Sequence, residues 1–95
     1  MEETVLERAL KQEVWQARVN ARRLCEGKEV VVVLLDSPGG KKKAGQLRME
    51  VTKLCLGKNK VTFSGITGSF IWDCTFVPGN HTSTNRLMME GEIRR

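Results

Sequence analysis

The sequence predicts an α+β domain in which an N-terminal amphipathic helix precedes about five mostly antiparallel strands, folded as a bent sheet or a small barrel. Three observations carry this. Leu6, Leu10, Val14, Ala17, Ala21 and Leu24 recur at spacings of four and three, the period of one helix face. Glu29–Asp36 holds six consecutive apolar residues, four of them valine, between Gly27 and Pro38-Gly39-Gly40, which suits a strand better than a helix. From Phe70 to Val77, Phe70, Trp72, Cys74 and Phe76 alternate with Ile71, Asp73, Thr75 and Val77, the pattern of a strand with one core face. The 95 residues suffice for one domain, spanning 1–95, and not for two independent cores.

The helix is expected from about Val5 to Cys25. Thr4-Val5-Leu6-Glu7 is a capping box, in which the threonine hydroxyl accepts from the Glu7 amide and Glu7 reaches back. Gly27 is a natural stop, and Arg22 and Arg23 suit the negative end of the helix dipole. Leu10, Val14, Ala17, Ala21 and Leu24 also keep heptad spacing, over too short a stretch for a coiled coil of its own. With no polar alternation, the valine run should be a central strand covered on both faces.

Asp36–Gly45 reads as an exposed loop carrying Lys41, Lys42 and Lys43. Gly40 and Gly45 have the spacing of a phosphate-binding loop, but Gln46 and Leu47 stand where a lysine and a hydroxyl residue are needed, so an NTPase site is rejected. Residues 46–56 fit both periods. Leu47, Met49 and Val51 alternate as in a strand, while Leu47, Val51 and Leu54 suit a helix. The turn-like Gly57-Lys58-Asn59-Lys60 and the strand-like Val61-Thr62-Phe63 after it favour a hairpin, hence a strand; the helical alternative would give a partly parallel sheet. Ser64–Ser69 is expected as a second turn region. After the polar loop 78–85, a last strand is expected over about Arg86–Ile93. There Leu87, Met89 and Ile93 face in, Met88, Glu90 and Glu92 face out, and Gly91 suits a bulge.

No constellation for catalysis or metal binding emerges. His81 is the only histidine, and no Cys-x-x-Cys or paired-histidine spacing exists, so no metal and no cofactor is expected. Cys25, Cys55 and Cys74 read as small core hydrophobes. An odd cysteine count, with Glu2, Glu3, Glu7 and Glu13 near the N-terminus, is unlike a secreted chain and points to a cytoplasmic one; no apolar run is long enough to span a membrane. The net charge of +5 permits a polyanionic partner without demanding one.

The helix-then-five-strands order is similar to that of Sm-like barrels, and Gly45-Gln46-Leu47 with Glu90-Gly91-Glu92-Ile93 resembles their glycine positions. That family's uridine-binding loop has no counterpart here, and Glu90 replaces the arginine expected before the second glycine, so the resemblance implies an architecture and no activity.

The reading that follows is a small non-enzymatic interaction module that self-associates, or binds another protein, through Leu10, Val14, Ile71, Val77 and Met88. The alternative is a nucleic-acid-binding domain contacting phosphates through Lys41, Lys42 and Lys43, supported by Lys58, Lys60, Arg94 and Arg95. The aromatics speak against base stacking, because Phe70, Trp72 and Phe76 are assigned to the core.

Overall fold

The computed structural model describes residues 4–20, 24–36, 43–78 and 88–95. A short helix, α1 (Val5–Ala9), is followed by six strands: β1 (Val14–Asn20), β2 (Glu29–Leu35), β3 (Lys43–Leu56), β4 (Val61–Thr67), β5 (Phe70–Pro78) and β6 (Met88–Arg94). Each strand pairs antiparallel with the next, and β6 pairs back onto β1, so the sheet closes as a barrel in simple sequence order.

The helical expectation holds only at its start. Thr4 caps α1 as a capping box, its Oγ1 accepting from the Glu7 amide at 3.1 Å while Glu7 Oε1 accepts from the Thr4 amide at 3.2 Å. The helix then ends at Ala9, and residues 14–20 are a strand. The reason is a second period in the same residues. Trp15, Ala17 and Val19 alternate with Gln16 and Arg18, and all three are buried, so the strand register hides a tryptophan that the helix register would leave at the edge of its stripe. Pairing with β2 on one side and β6 on the other overrides the helix propensity of alanine, glutamine and arginine. The heptad reading of Leu10, Val14 and Ala17 falls with the helix. Residues 21–23, the loop with Lys41 and Lys42, and 79–87 with His81 and Leu87 lie outside the described residues.

The barrel is filled by side chains. Trp15, Val19, Leu34, Met49, Phe63, Trp72, Phe76 and Ile93 meet in one buried cluster. Each such side chain contributes about 1.5–3 kcal/mol by leaving water. Phe63 and Phe76 stack with ring centroids 5.6 Å apart. Val32 and Leu34 of the valine strand point into this core; on the other face Val31 is exposed, Val33 half-buried and only Leu35 at the end buried, so β2 is fully covered on one face and only partly on the second. Gly65 is buried because Met49 lies across it, its Sδ occupying the place of a side chain. This makes Ser64–Thr67 strand rather than turn, and the β4–β5 connection shrinks to Gly68-Ser69. The register also runs without a shift through Gly91, which is therefore no bulge. A Cβ there would strike the Thr75 carbonyl and the Phe76 Cα, so glycine is required by the close approach of β5.

The closure is strongly offset. Gly45 registers with Leu34, Leu34 with Ala17, Ala17 with Gly91, Gly91 with Phe76, Phe76 with Val61, and Val61 with Leu56. The circuit leaves β3 at Gly45 and returns to it at Leu56. This offset is the shear of the barrel. It explains why β3 has 14 residues while β1, β2, β4 and β6 have 7 each. Lys43–Glu50 pairs with β2 and Glu50–Leu56 with β4, with register shifts at Leu34/Leu35 and at Val51/Lys53 that bend the strand. Residues 46–56 are thus strand, as the hairpin signal indicates, and the strand begins within the expected loop, at Lys43.

Among the described residues each half of β3 consequently has one side without a neighbouring strand. Along the first half α1 lies against it: Val5 Cγ1 would be 3.0 Å from a Cβ on Gly45, and the Arg8 guanidinium donates to the Ala44 carbonyl at 2.9 Å. The Thr67 hydroxyl donates to the Arg48 carbonyl at 2.7 Å, and Trp15 Nε1 ties the helix end in by donating to the Ala9 carbonyl at 3.0 Å. Along the second half the 24–28 loop does part of the same work. The Val51 amide donates to the Lys28 carbonyl at 2.9 Å, the Gly27 amide donates to the Val51 carbonyl at 2.7 Å, and a Glu26 carboxylate oxygen accepts from the Leu54 amide at 2.8 Å. Gly27 has φ +85°, which favours glycine at this turn.

Candidate functional site

The β4–β5 hairpin sets the most apolar exposed surface among the described residues. Its connection is a two-residue turn whose first position, Gly68, has φ +61°, while Ser69 does not have positive φ. This is the type II′ geometry that matches the twist of paired strands. The tight turn puts Ile66 directly opposite Ile71 and Thr67 opposite Phe70. Since Gly65 and Trp72 take the inner positions, Ile66 and Ile71 must both point out. Ile71 is 61% exposed, Phe70 38% and Ile66 37%.

Of the residues expected to mediate self-association, Ile71 and Val77 are exposed. Val77 is separated from Ile71 on their common face by Asp73 and Thr75, and it stands opposite Glu90. Leu10 is half-buried against the barrel core, and Val14 and Met88 are also half-buried, so the structure does not bring the five together. Ile66 was expected in a turn; the signal against that was the continued alternation of Phe63, Gly65 and Thr67 through the glycine-rich stretch. Phe70 keeps the core-face register expected of it, opposite Thr67, but is 38% exposed beside the turn.

Beside this pair, the outer surface of β3, β4 and β5 forms an open depression of about 320 Å³ lined by Lys53, Cys55, Thr62, Ser64, Asp73 and Thr75, with Phe63 and Cys74 at its base. The register sets them in two outer rows, Cys55–Thr62–Thr75–Glu92 and Lys53–Ser64–Asp73–Arg94. Three hydroxyls, an amine and a carboxylate can hydrogen-bond a polar chain there. Arg94 is turned toward Glu92, donating to its Oε1 from Nε at 3.1 Å and from Nη2 at 3.0 Å. Burial, aided by the Asp73 charge, pushes the Cys74 thiol up to about 12, which keeps it protonated. Cys25 and Cys55 are exposed, contrary to their assignment to the core. Among the described residues no group of three or more His, Cys, Asp or Glu side chains is placed to hold a metal ion, and no helix is long and apolar enough to cross a membrane.

The described basic residues do not form one surface. Lys43 opens β3, whereas Lys58 and Lys60 lie in the turn beyond its other end. The intervening strand of 14 residues, at roughly 3.3 Å per residue, keeps these groups on opposite ends of the barrel. Arg94 and Arg95 are exposed at the end of β6, level with Asp73.

No family model matches the chain, and neither a curated protein nor a solved structure matches it.

Proposed function

We propose that this chain is a small non-enzymatic interaction module that self-associates through the outer face of the β4–β5 hairpin. One observation carries the reading: Ile71 is 61% exposed in register with Ile66, itself 37% exposed. Two isoleucines paired outward on a sheet form an apolar surface that a monomer leaves wet. A second copy is the partner because one small patch can cover itself about a two-fold axis, as most homo-oligomers do. Sedimentation velocity at micromolar concentration tests this. The native chain is expected to sediment as a dimer and Ile71→Asp as a monomer of unchanged circular dichroism. A native chain that stays monomeric would overturn the reading.

A further inference from the structure

The second half of β3 carries a binding edge that the closed barrel leaves open. The Gly57 amide donates to the Lys60 carbonyl at 2.7 Å across the turn, so Gly57 and Cys55 direct their backbone groups toward β4. By the two-residue alternation, Leu54 and Leu56 direct theirs away from it. The Leu54 amide confirms this direction, since its acceptor is the Glu26 side chain on the far side, at 2.8 Å. Among the described residues no strand lies beyond: β2 pairs with β3 only as far as Glu29 opposite Glu50, and the 24–28 loop continues that pairing only to Val51. Leu56, 75% exposed, is the most exposed large apolar residue among those described. The Leu54 carbonyl and both backbone groups of Leu56 thus face an edge that no described residue covers, the geometry that accepts an added strand.

The chemistry around this edge selects the added strand. Lys53, Lys58 and Lys60 flank it, and none of them is ion-paired among the described residues. The one ligand the edge already holds is a carboxylate, supplied by the chain itself. We propose that this edge binds an acidic peptide in extended conformation, which pairs with Leu54 and Leu56, displaces Glu26 from the Leu54 amide and sets its carboxylates against Lys53, Lys58 and Lys60. In this role Glu26 acts as an internal competitor that keeps the edge satisfied when no peptide is bound. The surface differs from the Ile66–Ile71 pair, so either assignment can fail without the other.

The probe is a blocked heptapeptide of alternating glutamate and valine, with an alternating lysine and valine peptide as control. Its binding is followed by fluorescence anisotropy and by the amide resonances of Leu54 and Leu56. The acidic peptide should bind and move those two resonances, and the basic one should not. Glu26→Ala should tighten binding several-fold by removing the competitor. Lys53→Glu should weaken it, and Leu56→Pro should weaken it by about tenfold or more by deleting an edge donor that the fold itself does not use. An intact resonance pattern for β1 and β6 certifies that the proline variant is folded, and Lys53→Glu gives an answer independent of it. Equal binding of the basic peptide, or unchanged affinity in both Lys53→Glu and Leu56→Pro, would overturn the proposal. So would Glu26→Ala assembling with itself in place of binding peptide, which would assign the edge to a second copy of the chain.

Discussion

Between Lys43 and Glu50, β3 leans on β2 and its other side is covered by α1; between Val51 and Leu56 it leans on β4 and its other side is covered only as far as Leu54. Both halves arise from one cause, the offset with which the barrel closes. They differ in what the chain does with the exposed backbone. The first half is sealed by a capped helix, a guanidinium and a hydroxyl, and it buries Leu47 and Met49. The second half is held by a loop and one carboxylate, and it ends on an exposed leucine. A closed barrel therefore need not be free of edges. When shear is large relative to strand number, the longest strand overlaps itself and offers one edge at each end.

The largest expected effect comes from breaking the closure that offsets the two halves. Gly91→Val drives a side chain into the backbone of β5 and should cost about 3 kcal/mol or more, read as a lower urea midpoint or failure to fold. Truncation then compares the halves directly. Leu47→Ala should cost about 2–5 kcal/mol because it opens a cavity in the core, and Leu56→Ala within about 0.5 kcal/mol because Leu56 is mostly exposed. Similar losses at both positions in urea titrations would erase the contrast. Trp15→Phe removes the buried donor to the Ala9 carbonyl and so loosens the helix that seals the first half, at about 1–3 kcal/mol.

A smaller effect comes from the Cys74 thiol, buried in the core 3.7 Å from Met49 Sδ. The folded-state value for Cys74 lies near 12 and its ordinary value is 9.0, so above pH 9 the unfolded chain sheds a proton that the folded chain keeps. The stability this group contributes is therefore fully present below pH 9 and is lost as pH rises toward 12. Cys74→Ala should flatten the alkaline limb of a stability-against-pH curve. In the native chain at neutral pH, a thiol reagent should modify Cys25 and Cys55 and spare Cys74 until urea is added.

How much of this was legible follows from the same contrast. β5 could be read because its inner residues, Trp72, Cys74 and Phe76, are large or apolar while Asp73 and Thr75 between them are polar. The capping box could be read because its bonds are local. β1 could not, because Val14, Ala17 and their neighbours satisfy periods of both two and three to four, and only the distant partners Leu34 and Gly91 decide between them. Gly65 and Gly91 misled for a related reason. In sequence a glycine signals a turn or a bulge, whereas here each makes room for a neighbour, Met49 in one case and the β5 backbone in the other. The exposed pair Ile66–Ile71 was half visible, since Ile71 follows from its strand's alternation and Ile66 requires knowing that β4 runs through Gly65. The open edge at Leu56 was not visible at all, because it is created by the offset of a barrel whose closure no local pattern encodes.

Amide hydrogen exchange along β3, resolved by residue, distinguishes an open edge from a covered one. Protection is expected at Val51, Cys55 and Gly57, partial protection at Leu54 behind the Glu26 carboxylate, and exchange at Leu56 close to that of an unstructured chain. Protection at Leu56 as strong as at Val51 would show that this edge is already covered, and would contradict the account.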